Sequence, residues 1–139
     1  MEKINIKMVL LGGLIAGLVL NIGEFVLNGL VIGDAWMEWA KSMNLPEMGG
    51  NVIIFYVIWS FLVGIALVWL HAAIRPRFGA NIRTAVIAGL FIWVTMWVLG
   101  FGSMLIQGVF PNDLIITSIV WGLFEVPLAS VAGAYLYKE

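Results

Sequence analysis

The stretch MVLLGGLIAGLVLNIGEFVLNGLVI, residues 8–32, decides the fold of this chain. It contains no Lys or Arg, and Glu24 is its one acidic residue. At a helical rise of about 1.5 Å per residue, a helix of this length crosses a hydrocarbon core of about 30 Å with some tilt. A cleavable signal peptide has an apolar core of only about 7–15 residues. We therefore interpret residues 8–32 as a retained membrane span.

Three further apolar runs without Lys or Arg follow, at residues 52–70, 84–109 and 114–136. Hydrophobic residues make up 63% of the 139 residues and charged residues 11%, whereas soluble domains hold roughly 45–50% and 25%. This composition excludes a soluble enzyme and a disordered chain. A net charge of -1 without a basic face excludes nucleic-acid binding, and the lack of cysteine excludes disulfides. We predict an all-α polytopic membrane protein, a single transmembrane domain over residues 1–139 folded as an antiparallel bundle of four helices.

Basic residues predict the orientation of the four spans. With four spans, Lys41 lies alone on one side, and six basic residues lie on the other: Lys3, Lys7, Arg75, Arg77, Arg83 and Lys138. Cytoplasmic loops carry the excess of Lys and Arg in membrane proteins. We therefore expect both termini in the cytoplasm and the chain in a bacterial inner membrane. The three arginines could also contact anionic lipid headgroups.

The connections between spans predict two local features. In the first outer loop, Trp36 and Trp39 recur at helical spacing after Asp34, a residue type that favours helix N-caps. We expect a short interfacial helix over about residues 35–43, anchored at headgroup level by the two tryptophans. In the inner loop, Pro76 lacks the N–H that a helix needs, and we expect it to stop the second span from continuing as a helix.

Small residues recur along single faces of the apolar runs at spacings of three and four. Such stripes let membrane helices approach closely. We predict that five glycines pack against neighbouring spans: Gly13, Gly17, Gly89, Gly100 and Gly122.

Glu24 and Glu125 are harder to explain by packing alone. A carboxylate at mid-membrane costs about 2.5–3.5 kcal/mol on insertion scales. Counted by helical rise, Glu24 lies about 25 Å and Glu125 about 20 Å from the inner boundary, which places both at a similar depth. We predict a buried polar cluster at this depth, formed by Glu24, Glu125, Asn21, Asn28, Tyr56 and Thr95.

Four roles of this cluster stay open. The carboxyl groups could be protonated and structural, hydrogen-bonded to Asn21 and Tyr56 so that they fix the helix register. They could bind and release a proton or cation during transport. Catalysis or metal binding is a third role, in which the one histidine cannot take part because it lies about 20 Å from the carboxyls on the same count. The cluster could also hold a lipid, quinone or pigment, lined by Trp93, Trp97 and Trp121.

The expected function is that of a non-enzymatic multi-pass membrane protein, either oligomeric or an accessory subunit of a membrane complex. A proton- or cation-coupled small transporter or channel that uses Glu24 and Glu125 is the first alternative. Lipid, quinone or pigment binding is the second. We predict no metal site and no cofactor, apart from a bound lipid or hydrophobic small molecule. The expected partners are membrane lipids, together with further copies of the chain or other membrane subunits.

The segment LHAAIRPRFG, residues 70–79, followed by Thr84 and Ala85, resembles the inner loop of small four-span membrane proteins of bacteria. The resemblance covers about a tenth of the chain. It implies a four-span fold. Because these families carry no assigned activity, it implies no reaction, cofactor or catalytic residue.

Cysteine labelling tests the predicted orientation, since the chain has no cysteine of its own. Ser42→Cys, beside the single outer lysine, should react with a membrane-impermeant thiol reagent in intact cells. Ala80→Cys, between Arg77 and Arg83, should react only after the membrane is permeabilised. The opposite pattern, with Ala80→Cys labelled in intact cells and Ser42→Cys protected, would reverse the orientation.

Overall fold

A computed structural model describes residues 3–138, and residues 1, 2 and 139 lie outside it. The described residues are 85% helical and include no strand. A short helix, Gly33–Ser42, follows the first of four helices that are long and apolar enough to cross a membrane. We call these helices the first to fourth spans; they are Ile6–Val31, Gly50–Phe78, Ile82–Gln107 and Asn112–Leu136.

Two spans change their hydrogen-bonding pattern part-way along. The first span becomes π-helical over Val26–Val31, and the third is π-helical over Trp93–Phe101. At the end of the first segment, the N–H of Ile32 donates to the carbonyl of Leu27, five residues earlier, at 2.8 Å. π-Helical turns are rare in proteins overall, and those that occur are often found at functional sites. The turn in the first span begins directly after the Glu24–Phe25 step.

The second span continues beyond the predicted end at Leu70, and the expectation that Pro76 stops it is wrong. The helix runs through Pro76 to Phe78. A proline removes one main-chain hydrogen bond and crowds the carbonyl four residues earlier, which is a small loss so near the end of a helix. Gly79 caps the helix instead: its φ of 90° favours glycine, and its N–H donates to the carbonyl of Arg75 at 2.8 Å.

Polar side chains begin the first and third spans. The carboxamide oxygen of Asn5 accepts a hydrogen bond from the N–H of Met8 at 3.2 Å. The carboxamide oxygen of Asn81 likewise accepts one from the N–H of Thr84 at 3.0 Å. Each bond satisfies a main-chain donor that the start of a helix leaves without an intrahelical partner.

The short helix begins before its predicted cap. It spans Gly33–Ser42, so Asp34 lies within the first turn and is not the N-cap. A carboxylate in the first turn still interacts favourably with the positive end of the helix dipole. Trp36 packs on a small buried cluster shared by the first and fourth spans, and the ring of Trp39 lies 5.3 Å from that of Phe110. These aromatic contacts fasten the short helix to the ends of the spans.

Glycines set the distance between the first and second spans. A methyl group added at Gly64 in the second span would lie 2.8 Å from the Cα of Gly17 in the first. A methyl group added at Gly13 would lie 2.6 Å from the Cα of Ile65. No side chain fits at such distances without a backbone shift, so the two helices meet backbone to backbone.

The fourth span approaches the first and third spans equally closely. At Gly12 in the first span and Gly133 in the fourth, a methyl group added to either glycine would collide with the carbonyl group of the other. At Gly89 in the third span, a methyl group would lie 2.6 Å from the Cα of Pro127. The spacing pattern predicted Gly89 as a packing position and missed Gly12 and Gly133.

Of the two further glycines predicted to pack, Gly122 on the fourth span does so and Gly100 on the third span does not. A methyl group at Gly122 would lie 2.6 Å from the indole nitrogen of Trp97. Around Gly100, in contrast, no other described group lies within 4 Å of the corresponding position, so Gly100 does not pack against another span. Leu99 beside it is 64% exposed, and Ile106 two turns further along is 88% exposed.

The larger of the two buried clusters extends from the middle of the spans to the end near Asn5 and Tyr137, which we call the termini end. The first, second and fourth spans converge there on a shared cluster, formed by Val9, Ala16, Leu20, Val63, Leu67, Val68, Ala72, Val126, Ala129 and Tyr137. At the other end of the second span, every residue from 50 to 59 is exposed. The second span therefore leaves the shared core at this end.

Tyr137, just after the fourth span, connects three spans at the termini end. Its side chain is buried, and its hydroxyl accepts a hydrogen bond from the N–H of Asn5 at 3.1 Å. The guanidinium of Arg75 lies 5.0 Å from the centre of the tyrosine ring, a cation–π contact. The ring of His71 meets the same ring edge-on, with the centroids 6.3 Å apart.

A glycine pair tests the backbone contact between the first and second spans. Gly64→Ala should lower the free energy of unfolding by about 1–3 kcal/mol, because the new methyl group meets main-chain atoms of Gly17 that cannot rotate away. Gly100→Ala is the matched control and should change stability by no more than about 1 kcal/mol, with a gain favoured. Unfolding in mixed micelles measures both. Equal losses in the two variants would contradict the proposed packing.

Candidate carboxyl site between the first and fourth spans

Two carboxyl groups meet where the first and fourth spans pack. Glu125, on the fourth span, is 6% exposed. Its side chain lies against Gly23, where an added methyl group would be 2.8 Å from the carboxyl carbon. Glu24 follows Gly23 on the first span, and its carboxyl group is near enough to that of Glu125 for the two to interact. The two glutamates that the sequence singled out are therefore neighbours.

Asn28 holds the Glu24 carboxyl in place. Its amide nitrogen donates to the Glu24 carboxyl oxygen Oε2 at 2.8 Å and to the main-chain carbonyl of Glu24 at 3.2 Å. Asn28 lies one turn further along the first span, within its π-helical part. The bond to Oε2 restricts the rotation of the Glu24 side chain and satisfies one of its oxygens, while the bond to the main chain fixes the Asn28 amide.

Glu125 lacks such support. Neither of its carboxyl oxygens has an N–H or O–H partner within residues 3–138. The Glu24 carboxyl can supply one bond, because two adjoining carboxyl groups share a hydrogen bond when one of them carries a proton. The other oxygen of Glu125 then still lacks a donor. Buried polar groups are nearly always satisfied in folded proteins, so the Glu125 carboxyl is an exception that needs a physical explanation.

A groove of about 540 Å³ runs along the contact between the first and fourth spans, beside the carboxyl pair. Its walls are almost wholly apolar, with Gly23 and Glu125 among the lining residues. The lining side chains Ile22, Phe124 and Leu128 are themselves 57%, 72% and 62% exposed. The groove is therefore open on the outer surface of the helices, which would face lipid in a membrane.

Three predicted members of the polar cluster do not reach the carboxyl pair. The amide of Asn21 donates to the main-chain carbonyls of Gly17 and Val57, at 3.0 and 3.3 Å. Tyr56 is 61% exposed on the second span. The Thr95 hydroxyl donates to two main-chain carbonyls of its own helix. The specific structural role expected for Asn21 and Tyr56, bonding the carboxyl groups, is therefore wrong.

The three tryptophans of the expected ligand site also separate. The indole N–H of Trp93 donates to the carbonyl of Ile119 at 2.8 Å, which joins the third and fourth spans. The ring of Trp97 fills the space beside Gly122. Trp121 alone lines the groove, and its buried indole nitrogen has no acceptor in the described part of the chain.

The remaining predicted residues lie at the ends of the spans. The rings of Trp36 and Trp39 are 5.7 Å apart on the short helix, edge to face. Arg75 is half-buried beside Tyr137, whereas Arg77 and Arg83 are exposed. Within residues 3–138, no group of three or more His, Cys, Asp or Glu side chains could hold a metal ion.

Sequence reasoning missed Gly23, although Gly23 makes the carboxyl contact feasible. The stripe of small and polar residues in the first span passes through Gly13, Gly17 and Glu24 and leaves Gly23 to one side. The available signal was a glycine immediately before a carboxylate in an apolar run. Such a glycine gives a partner helix room to place a side chain against the main chain.

Comparisons with known proteins give this site no precedent. No family model, curated protein or solved structure matches the chain. The carboxyl pair, the groove and the packing of the spans are therefore the observations from which a function can be inferred.

A double-mutant cycle tests the contact between Gly23 and Glu125. Gly23→Ala should lower the free energy of unfolding by about 1–3 kcal/mol, because the methyl group and the carboxyl group would occupy the same space. In a Glu125→Ala background the same change should cost less by at least about 0.5 kcal/mol. Gly29→Ala, with its nearest neighbour at 3.5 Å, is the control in both backgrounds. Purely additive losses would show that the two residues do not touch.

Proposed function

We propose that the chain is a non-enzymatic four-span protein of a bacterial inner membrane, an antiparallel bundle with both termini in the cytoplasm. Four long apolar helices support the membrane assignment. The concentration of basic residues on one side supports the orientation. The short helix Gly33–Ser42 would lie at the outer interface, because Trp36 and Trp39 near the ends of spans are typical of headgroup depth.

We further propose that the Glu24–Glu125 pair binds and releases a proton, or a small cation in its place, in a proton- or cation-coupled small transporter or channel. The observation that carries this proposal is the burial of Glu125 against Glu24 without an N–H or O–H donor among the described residues. A membrane core offers no water to supply the missing bond. A carboxyl group with a purely structural role would be expected to have its donors within the protein.

Charge couples the pair to the packing of the helices. With one shared proton the pair carries a single negative charge and a hydrogen bond joins the two spans. Without that proton, two negative charges adjoin each other in surroundings of low dielectric constant, where their repulsion is strong. Loss of the proton therefore favours separation of the first and fourth spans, or entry of a cation between them. Binding that changes helix packing in this way is what coupled transport requires.

A role as an oligomeric or accessory subunit is the second candidate, and a different observation favours it. Every residue from 50 to 59 of the second span has an exposed side chain, although the main-chain carbonyl of Val57 accepts a hydrogen bond from Asn21. The exposed side chains include the phenol of Tyr56. A hydroxyl in an apolar span is stabilised by a hydrogen-bond partner across a helix contact. A second copy of the chain or another membrane subunit, packed against this segment, would provide one.

Infrared difference spectra between about pH 5 and about pH 9 test the proton-binding proposal. We expect a protonated-carboxyl band that titrates reversibly in the wild type, changes in Glu24→Gln and in Glu125→Gln, and disappears in the double variant. Glutamine keeps the volume of the side chain but cannot exchange a proton, whereas each single variant retains one carboxyl group that can. Glu38→Gln, on the exposed face of the short helix, is the control and should leave the band unchanged. A carboxyl band that stays constant over the whole range would favour a structural pair and contradict the proposal.

A further inference from the structure

The two members of the carboxyl pair differ in how far they are exposed. Both carboxyl oxygens of Glu125 are closed to solvent. Glu24 is half-buried, and Asn28, which holds its Oε2 atom, is exposed. Asn21, Glu24 and Asn28 follow one another at spacings of three and four residues, so they share one face of the first span. A row of polar side chains therefore leads from the buried pair to a surface.

This polar face of the first span is turned toward the second span. The Asn21 amide donates to the main-chain carbonyl of Val57 at 3.3 Å. Beyond this bond the two helices separate, because the main chain of Val26–Val31 has hardly any contact with the second span and every side chain from 50 to 59 is exposed. A cleft opens between the two spans from the level of Glu24 onward. We call it the outer cleft.

The apolar groove lies on another side of the first span. The residues of this span that line it are Val19, Ile22 and Gly23, and neither Glu24 nor Asn28 is among them. The groove presents almost no polar surface, so it offers water no route to the carboxyl pair.

Packed side chains close the way from the pair to the termini end. Leu20, one turn before Glu24, is fully buried, as are Leu67 of the second span and Val126 beside Glu125. All three belong to the cluster that the first, second and fourth spans share. Packed protein interiors hold few voids as large as a water molecule. The pair is therefore open on one side and sealed on the other.

We infer that the carboxyl pair exchanges its proton or cation with the outer solution alone, through the outer cleft. Glu24 is the group that meets water, and Glu125 is reached only through Glu24. The inference rests on the proposed function and deepens it by assigning the exchange to one side of the membrane.

Depth and polarity both favour water in the outer cleft. Glu24 lies seven residues before Val31, where the first span ends, which is about 10 Å by helical rise. Water at the membrane interface is therefore close. A partly exposed carboxyl group in contact with lipid would be costly, because hydrocarbon supplies no hydrogen bond to it. The Asn28 amide, between Glu24 and the end of the span, gives water a polar wall.

Two matched pairs of cysteine variants test the inference in the full chain, which has no other cysteine. Asn28→Cys and Gly29→Cys lie at the same depth, but a side chain at Gly29 would meet only the ring of Phe25, away from the other spans. Glu24→Cys and Phe25→Cys form the second pair, since Phe25 is 66% exposed on that same side. The second pair keeps the test decisive if a change at Asn28 disturbs the fold.

A positively charged methanethiosulfonate that does not cross membranes is the probe. We expect it to react with Asn28→Cys and Glu24→Cys at least about tenfold faster than with their two controls, because the thiolate is the reactive form and hydrocarbon disfavours it. The reagent should act from the side that labels Ser42→Cys. Labelling from the opposite side only, equal rates within both pairs, or no reaction at either polar position would each overturn the inference.

Infrared titration of the wild type separates failure of this inference from failure of the proposed function. Fast labelling at the two polar positions with a constant carboxyl band would refute proton binding, and the exchange with it, while the water-filled cleft would stand. A titrating band with both polar positions protected would refute the outer cleft alone and leave proton binding in place.

Discussion

The close approach of glycine backbones along the first span is the constraint on which the rest of the structure depends. Gly13 and Gly17 admit the second span on one side, and Gly12 admits the fourth span through its contact with Gly133. Helices that meet main chain to main chain cannot slide or rotate by much without a collision. The relative position of the first and fourth spans, fixed at Gly12 and Gly133, is therefore kept along both helices. About three turns after Gly12 in the first span, it places Glu125 against Gly23.

A surrounding membrane changes how the carboxyl pair and the groove beside it can be stabilised. In water, two neighbouring carboxyl groups can be hydrated and a groove between helices is filled by solvent. The lipid of a membrane core holds no water that could hydrate the carboxyl groups or fill the groove. Every hydrogen-bond donor or acceptor there must find its partner in the protein, in a bound proton or in a lipophilic molecule. The Asn28 amide donates such a hydrogen bond to the Glu24 carboxyl group. Glu125, on the facing helix, has no N–H or O–H donor among the described residues, and this difference distinguishes the two carboxyl groups.

Composition and run length were sufficient to predict four long apolar helices, because those properties depend on no tertiary contact. Glu24 and Glu125 could also be predicted as partners, since depth along a helix follows from residue count. Which side chains from other spans contact the carboxyl pair could not be predicted. Tyr56 and Thr95 lie at plausible depths but turn away or bond their own helix. Gly100 belongs to a regular stripe, yet a side chain at this position would meet open space. Which face of an apolar helix meets which neighbour is decided by packing, and hydropathy is the same on every face.

The position of Tyr137 has a consequence for the order of assembly. Its hydroxyl and ring are contacted by Asn5, before the first span, and by Arg75, at the end of the second. These contacts can form only after the fourth span has been synthesised and inserted. Until then the first two spans can pair through their glycines, but their ends near the membrane surface stay unfastened. The contacts at this end therefore form late in biogenesis. A chain truncated before the fourth span could still pair its first and second spans, but it would lack the contacts of Tyr137 with Asn5 and Arg75.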